Sequence, residues 1–312
     1  MSANYLVTGG AGFIGSNIVE KLVNDGQRVT VIDNFLTGKP ENIAAFRDKI
    51  EFIEGDIRSL ETLNKIMKNI DYVIHQAALP SVPKSVDLPI ESNDHNINGT
   101  LNILYSAKEN KVKRVVYAAS SSAYGDQPQS PKVETMRPMP MSPYAVNKLT
   151  GEYYCAAFHK VYGLETVALR YFNVFGPRQD PTSFYSAVIP KFVSALLRDE
   201  APTIFGDGEQ SRDFTYIDNV VNANLLACLA PDAAGGVYNI ACGSSVTLNQ
   251  LYESLEKILG KSVPVKYTAA RVGDVKHSLA DISQAKKVLG YDVLVSFEEG
   301  LEKTANWFAN NQ

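Results

Sequence analysis

The fold is decided by residues 2–15, which read SANYLVTGGAGFIG. A short run of β-forming residues leads into several glycines, and apolar residues then recur at helical spacing. A strand, a glycine turn and a helix in this order direct backbone N–H groups and the positive end of the helix toward a diphosphate. Gly9 can supply the tight turn, Gly12 lets the backbone approach the phosphates, and Gly15 lets the helix lie close to the sheet.

A second predicted strand, residues 28–32, ends at Asp33. The distance from Gly15 to Asp33 is close to the ~20 residues at which an acid binds the ribose of a dinucleotide. A carboxylate there accepts hydrogen bonds from ribose hydroxyls and repels a 2′-phosphate, so the sequence favours NAD over NADP. The alternative is that Asp33 is a solvated residue at the end of a strand.

Length and charge limit the classes of function. A chain of 312 residues can bury a large core, as one domain with a lobe or as two domains. A net charge of −4 argues against nucleic acid or an anionic membrane as the main partner. Neither a signal-peptide pattern nor an apolar run of transmembrane length is present, so we expect a cytoplasmic protein. The cysteines and histidines form no ligand motif, and we predict no metal.

Strands alternate with helices along the first half of the chain. Predicted strands run into an acid at Asp56, into small residues at Ala77 and Ala78, and into serines at 120–122. This order predicts an α/β fold, a doubly wound parallel sheet of the Rossmann type, with ligands at the carboxyl ends of the strands. Residues 79–89 are predicted to form a loop, and 91–110 a helix that contains Asn96.

Tyr144 and Lys148 carry the chemistry that the sequence predicts. Ser142 is a good N-cap and Pro143 suits the first helical position, so a helix is expected to extend to about Tyr162. Tyr144 and Lys148 are then neighbours on one helix face. An ammonium near a phenol lowers the phenol pKa, and the phenolate can act as a general base. Taken alone this spacing is more often structural; the glycine turn and the strand-end serines favour catalysis.

The sequence resembles the extended short-chain dehydrogenase/reductase family, and specifically its UDP-galactose and UDP-N-acetylglucosamine 4-epimerases. The motifs cover nearly the whole length in order: TGGAGFIG, HQAA, SSSAYGDQP, SPYAVNK, RYFNVFGPRQ, GDGEQSRDF and RVGDVKHSLAD. The resemblance implies a smaller mixed α/β lobe that binds the nucleotide sugar. It also implies that the two units are interleaved, with 1–172 plus 214–240 binding NAD and 173–213 plus 241–312 binding the sugar.

The resemblance assigns roles to individual residues. Catalysis is assigned to Ser120, Ser122, Tyr144 and Lys148. The expected NAD contacts are Gly9, Gly12, Phe13, Ile14, Gly15, Asp33, Asn34, Asp56, Ile57, Ala77, Ala78, Asn96, Tyr144 and Lys148. The expected substrate contacts are Ser81, Ser120, Ser121, Ser122, Tyr144, Asn173, Ala187, Val188, Phe205, Gly206, Arg212, Arg271, Asp274 and Ser278.

Departures from similar enzymes narrow the expected reaction. Ser121 and Ser122 stand where similar 4,6-dehydratases have an Asp-Glu pair, and Ser122 stands where similar UDP-glucuronate decarboxylases have a Glu. Neither acid is present, which leaves removal and return of a hydride at C4. Ser278 stands where epimerases restricted to UDP-glucose and UDP-galactose have a bulky residue, often tyrosine. We therefore expect N-acetylated sugars to be accepted.

Two alternatives remain open from the sequence. A UDP-glucuronate 4-epimerase would need a cation for the C6 carboxylate, and no Arg or Lys is clearly placed for that role. An NAD-binding regulatory protein would be expected to lose Ser120, Tyr144 or Lys148, and all three are present. The resemblance also implies a homodimer, formed by the helices that begin near residues 91 and 144.

Overall fold

A computed structural model describes residues 2–181, 188–270 and 276–311. Within these ranges the strands are β1 (Asn4–Thr8), β2 (Arg28–Asp33), β3 (Glu51–Glu54), β4 (Tyr72–His75), β5 (Arg114–Ser120), β6 (Glu165–Tyr171), β7 (Val174–Phe175), β8 (Thr203–Phe205), β9 (Ser211–Arg212), β10 (Thr215–Tyr216), β11 (Val237–Ile240), β12 (Val246–Thr247) and β13 (Lys266–Thr268).

The α-helices in the same ranges are α1 (Phe13–Asn24), α2 (Leu60–Ile66), α3 (Val82–Asp87), α4 (Pro89–Asn93), α5 (Gly99–Glu109), α6 (Pro143–Tyr162), α7 (Val188–Leu197), α8 (Ile217–Leu229), α9 (Leu248–Leu259) and α10 (Phe297–Asn310). Pro40–Lys49 and Ser121–Tyr124 form 3₁₀ segments, and Asp94–Asn98 and Ala285–Leu289 form π-helical segments.

The predicted doubly wound parallel sheet is confirmed. Seven strands pair in parallel in the order β3-β2-β1-β4-β5-β6-β11. The direction in which strands are added reverses between β1 and β4, which are paired neighbours with Thr8 opposite His75. A ligand crevice is expected outside the carboxyl ends of the strands at such a reversal.

Both faces of the sheet are covered by helices. Alternate strand residues belong to two separate cores: Tyr5 and Val7 pack on the side of α1 and α8, and Leu6 packs on the side of α2, α5 and α6. Successive side chains of a strand point to opposite faces, so a strand buried on both sides reads as a continuous apolar run. This burial fixes the register of β1 and with it the position of the glycine turn that follows.

Short strands build the second unit. β12 pairs with β9 and β13 with β8, and α7, α9 and α10 pack around them. β7 pairs with β10, which follows just after the first segment of this unit in the chain. We propose that this unit consists of residues 173–213 plus 241–312, and that 1–172 plus 214–240 form the other unit. The pairing of β11 with β6 in the large sheet supports this division.

Two segments differ from the sequence-based expectation. The predicted loop 79–89 contains helix α3, because the Ser81 hydroxyl accepts a hydrogen bond from the Lys84 amide and Pro83 occupies a position in the first turn where its missing N–H costs nothing. The predicted helix 91–110 is interrupted by a π segment. There the Thr100 hydroxyl donates to the carbonyl oxygen of Asn96 at 2.6 Å.

Candidate active site

A cleft lies at the carboxyl edge of the large sheet, with an empty volume of about 1120 Å³ including the part open to solvent. Its walls are the glycine turn, the ends of the central strands and the first turns of α6. The expected NAD contacts that line it are Gly9, Gly12, Phe13, Ile14, Gly15, Asp33, Asn34, Ile57, Ala77, Ala78, Tyr144 and Lys148.

The glycine turn is packed so closely against neighbouring backbone that Gly9 and Gly15 cannot carry a side chain. Gly9 has φ +68°, and a Cβ there would lie 2.7 Å from the Ala77 amide nitrogen. A Cβ on Gly15 would lie 2.1 Å from the Gly9 carbonyl oxygen. Helix α1 begins at Phe13, and its N-cap residue Gly12 has no side chain to cap it, so the amides of the first turn are available to a ligand. These features fit the diphosphate of a dinucleotide.

Asp33 is buried at the end of β2, with 7% of its surface exposed. Its carboxylate accepts hydrogen bonds from the Ala11 amide at 2.9 Å and from the Phe35 amide at 2.8 Å. Burial raises the pKa of Asp33, and these backbone amides oppose the rise. The alternative of a solvated strand-end residue is therefore wrong. The remaining lone pairs face the cleft, where ribose hydroxyls can donate to them.

Two expected NAD contacts do not line the cleft. The Asp56 carboxylate accepts hydrogen bonds from Arg58 and Asn34, and the Arg58 bond holds the pKa of Asp56 near 2. Asn96 is buried behind the wall, where its amide bonds both the N–H and the C=O of Leu79 at 2.7 and 3.1 Å. Asn96 thus supports the loop that carries Pro80 rather than reaching the cleft.

Sequence reasoning missed several lining residues: Ile32, Leu36, Thr37, Gly55, Gln76, Pro80, His95, Ala118, Ala119 and Tyr171. Most of them lie at or just beyond the carboxyl end of a strand, so the rule that placed Asp33 and Ala77 could have found them. Gln76 donates hydrogen bonds to the Tyr171 hydroxyl at 2.9 Å and to Asn224 at 3.1 Å. No sequence signal indicated His95.

The predicted helix around Tyr144 is confirmed, with the expected start and end. The Ser142 hydroxyl caps it by accepting from the Ala145 amide at 3.1 Å, and the Tyr144 amide donates to the Ser85 hydroxyl on α3 at 3.0 Å. The Tyr144 phenol lines the cleft close to the Ser120 side chain. Two separate caps thus fix the backbone from which the phenol extends.

Lys148 is buried, with 5% of its surface exposed. Its Nζ donates to the Ala118 carbonyl oxygen at 2.8 Å and lies 6.0 Å from the centre of the Tyr144 ring. Burial lowers the pKa of Lys148 to about 8, and the negative charge of Glu152 opposes this. The hydrogen bond of the Lys148 ammonium thus goes to strand β5 and not to the Tyr144 phenol.

The prediction that Lys148 lowers the pKa of Tyr144 is wrong for this arrangement of side chains. Burial raises the Tyr144 pKa to about 12, and the hydrogen bond with Ser120 opposes the rise only in part. Loss of hydration destabilises the Tyr144 phenolate by more than the Ser120 side chain stabilises it. A further positive charge near the hydroxyl is needed before Tyr144 can ionise near neutral pH.

The serine turn, residues Ser120–Tyr124, faces the phenol. The Ser122 hydroxyl donates to the Ser120 hydroxyl at 2.9 Å, and the Ser122 amide also points to that oxygen at 3.2 Å. Ser120, Ser121 and Ser122 are each partly exposed. The turn is polar and carries no carboxyl group, so it can hold a sugar hydroxyl without acting as an acid.

The expected substrate contacts of the second unit meet around β9. Arg212 Nη1 donates to the carbonyl oxygens of Ser211 and Lys276 at 2.9 and 3.1 Å, and the Ser278 amide donates to the Ser211 carbonyl at 3.0 Å. Asn173 Nδ2 donates to the carbonyl oxygen of Asp213 at 3.0 Å. Hydrogen bonds to the backbone thus fix Arg212, Ser278 and Asn173 relative to one another.

The other expected substrate contacts are more scattered. Val188 begins α7, Phe205 ends β8 and is followed by Gly206 at φ +89°, and Ser81 caps α3. Ala187, Arg271 and Asp274 lie outside the described residues.

In the described ranges, His, Cys, Asp and Glu side chains form no group of three or more that could hold a metal ion. None of the helices in those ranges has the length and apolarity needed to cross a membrane.

Known proteins resemble the chain over nearly its full length. A solved UDP-N-acetylglucosamine 4-epimerase from Methanobrevibacter ruminantium M1, in complex with UDP-N-acetylmuramic acid, is 46% identical with a TM-score of 0.96, and the match covers 100% of both chains. A putative UDP-glucose 4-epimerase of Methanocaldococcus jannaschii is 38% identical over 98% of both chains. A UDP-glucuronate 4-epimerase of Thermodesulfobacterium geofontis is 36% identical over 98% of this chain and 96% of its own.

These three relatives are all named as 4-epimerases, and their names differ in the UDP-sugar: UDP-N-acetylglucosamine, UDP-glucose or UDP-glucuronate. The family model described as the NAD dependent epimerase/dehydratase family matches residues 5–241. That range includes the glycine turn, Asp33, the serine turn and α6, which are the features that build the cleft. The chain therefore belongs to the NAD-dependent epimerase/dehydratase family, within the extended short-chain dehydrogenases/reductases.

Proposed function

We propose that the protein is an NAD-dependent UDP-sugar 4-epimerase. It interconverts UDP-GlcNAc with UDP-GalNAc, and also UDP-Glc with UDP-Gal. The observation that carries this proposal is that Tyr144 and Lys148 together line one wall of a cleft built for a dinucleotide, where Lys148 bonds to the strand that ends at Ser120. Each of the three relatives compared above is named as an epimerase that acts at C4.

The side chains divide the chemistry between them. NAD held in the cleft would supply reversible hydride transfer at C4 of the sugar, with no net oxidation over the reaction. Tyr144 takes the proton from the 4-hydroxyl as a general base, and Ser120 holds the same oxygen. Lys148 supplies positive charge beside the phenol and lines the cleft next to it.

Epimerisation requires the oxidised sugar to present both faces in turn. An anchor on the diphosphate allows this rotation without loss of the sugar, and we propose Arg212 and Asn173 for that role together with Arg271. Arg212 suits it because a guanidinium binds phosphate oxygens in a planar, two-point geometry. The family's uridine contacts are assigned to Ala187, Val188, Phe205, Gly206 and Asp274.

The sugar preference depends on Ser278. Its backbone is pinned to β9 by the bond to Ser211, so a larger side chain at this position would have little freedom to withdraw. Serine leaves space for an acetamido group at C2. UDP-glucuronate remains the alternative substrate, because one relative carries that name. A non-catalytic protein is not supported, since Ser120, Tyr144 and Lys148 are all brought to one edge of the cleft.

We also propose a homodimer. The helices α3, α4 and α6 pack against one another and expose apolar side chains: Val86 is 61% exposed, Ile90 85% and Tyr153 60%. An exposed apolar face on neighbouring helices is typical of a protein–protein contact. We place the enzyme in the cytoplasm, where its cofactor and nucleotide-sugar substrates are metabolites.

Replacing Tyr144 with Phe tests the function, because it removes only the hydroxyl. We expect turnover to fall by about 10²- to 10⁴-fold for every accepted sugar. The measurement is chromatographic separation of the epimers formed from UDP-GlcNAc, UDP-Glc and UDP-glucuronate. Tyr162→Phe, an exposed tyrosine at the other end of α6, is the matched control and should keep full activity. Near-normal turnover by Tyr144→Phe would contradict the proposed role.

A further inference from the structure

A buried ion pair lies one helical turn beyond Lys148. Glu152 on α6 accepts two hydrogen bonds from Arg170 on β6, from Nε at 2.9 Å and from Nη2 at 2.7 Å. Each side chain is almost fully buried, at 3% and 4% exposed. Such a pair gives up much hydration and is weak evidence for stability by itself. The pair lies next to the catalytic residues, because Glu152 is four residues after Lys148 on α6.

Arg170 contacts one residue on the helix of Tyr144 and one residue in the serine turn. Through Glu152 it is joined to α6, which carries Tyr144 and Lys148. On its other side the guanidinium lies 4.6 Å from the centre of the Tyr124 ring, at the end of the serine turn. The Tyr124 hydroxyl donates to Asn239 at 2.7 Å, which holds the ring in place. One buried cation thus links the helix of the base to the turn of Ser120.

We infer that Glu152, held by Arg170, is a positioning residue that keeps the Lys148 side chain charged and fixes α6 against the serine turn. The consequence for turnover rests on the proposed function. The electrostatic effect of Glu152 on Lys148 does not, because it rests on two buried side chains that lie one turn apart on the same face of α6.

The groups around Lys148 show why a negative charge is needed there. On α6 they are Tyr144 and Glu152; on β5 the Tyr117 ring lies 5.2 Å from Nζ; on β4 the nearby group is His75. Burial lowers the pKa of His75 to about 3, so it is neutral. Both tyrosines are protonated, since burial raises their pKa values. Glu152 is the carboxylate among these described groups that opposes loss of the Lys148 proton.

Glu152→Gln tests the inference because it keeps the shape and removes the charge. In the full-length protein, with lysines labelled with ¹³C at Cε, the Lys148 resonance is assigned by its loss in Lys148→Arg. We expect the Lys148 pKa to fall by about 1 to 2 pH units, the size of a charge interaction across one helical turn. The alkaline limb of the pH profile of kcat/KM should move to lower pH by the same amount.

The chain offers a matched control. Arg114 and Glu165 form another Arg–Glu pair, on β5 and β6 at the opposite edge of the sheet, with Nη2 and Oε2 at 2.6 Å and the Glu165 side chain 47% exposed. Glu165→Gln should leave the Lys148 pKa and the pH profile unchanged. Glu152→Asp keeps the charge and should keep the Lys148 pKa close to that of the wild type. It also provides the test if Glu152→Gln does not fold.

The outcomes separate this inference from the proposed function. An unchanged Lys148 pKa in Glu152→Gln, an equal shift in Glu165→Gln, or a full shift in Glu152→Asp would overturn it. If the protein converts no UDP-sugar and Glu152→Gln still lowers the Lys148 pKa, the proposed function fails and the inference about Glu152 is supported.

Discussion

The cofactor side and the sugar side of the site are built in different ways. The cleft is lined by glycines and by strand ends of one continuous sheet. In the glycine turn the backbone segments lie so close together that an added Cβ on Gly15 would be 2.1 Å from the Gly9 carbonyl oxygen. The sugar side consists of single side chains on short strands, such as Arg212 on the two-residue strand β9. Backbone geometry leaves little freedom for substitution, whereas an individual side chain can change without disturbing its neighbours. Substitutions on the cofactor side should therefore disrupt the fold and NAD binding, whereas substitutions on the sugar side should change only which sugar is accepted.

The largest effect is expected from Gly15→Ala. The added Cβ would lie 2.1 Å from the Gly9 carbonyl oxygen, so the turn or α1 must move. We expect the free energy of unfolding to fall by about 3 kcal/mol or more. The Kd for NAD should rise by at least about 100-fold. Chemical denaturation and calorimetric titration with NAD measure the two effects.

Gly26→Ala is the control for that prediction. Gly26 also has positive φ, at +70°, but a Cβ there would meet nothing within 4 Å. It should cost about 1 kcal/mol from backbone strain and leave NAD affinity unchanged. Equal loss of NAD binding in both variants would show that the cleft does not depend on close backbone approach.

An intermediate effect, confined to one class of sugar, is expected from Ser278→Tyr. A bulky residue in the space assigned to the acetamido group should reduce kcat/KM for UDP-GlcNAc by about 10- to 100-fold, the cost of overpacking by 1 to 3 kcal/mol. Activity on UDP-Glc should change little. Steady-state kinetics on both substrates give the ratio, with the exposed Ser283→Tyr as control. Equal losses on both sugars would mean that the sugar side is as intolerant as the cleft.

The smallest effect on a single protomer is expected from Ile90→Asp, outside both sides of the site. Ile90 is 85% exposed, so its replacement should change protomer stability by less than about 0.5 kcal/mol. A buried aspartate at a contact between two copies would nevertheless weaken the dimer. Light scattering should show a lower mass than for wild type, and Leu294→Asp, 59% exposed on the other unit, should not change it. A wild-type protein that is monomeric would disprove the proposed dimer.

Local signals were enough to predict most of the large sheet and the catalytic helix. α6 begins and ends where expected because Ser142, Pro143 and Gly163 act on the backbone next to them; Gly163 closes the helix at φ +70°. Asp33 and the glycine turn were found for the same reason. Asp33 and the glycine turn each follow a buried strand of the parallel sheet, and the carboxyl ends of these strands line the cleft.

Long-range contacts explain what the sequence could not predict. The Tyr144 pKa depends on how completely the phenol is buried, and Lys148 bonds to Ala118, which lies 30 positions earlier. Asn96 bonds to the backbone of Leu79 rather than to a ligand. The pair of Glu152 and Arg170 forms only when α6 packs on β6. Spacing along the chain carries no information about these contacts.

The order of the chain has a consequence for synthesis. Among the residues that the structure describes, those that line the cleft lie between Gly9 and Tyr171 and are made before the second unit. A nascent chain that has emerged past Tyr171 already contains each of those residues, whereas strand β11, at the sheet edge, arrives later, with Val237–Ile240. The sheet is therefore completed only after the inserted segment 173–213 has been made, because α8 covers one of its faces and β11 forms one of its edges.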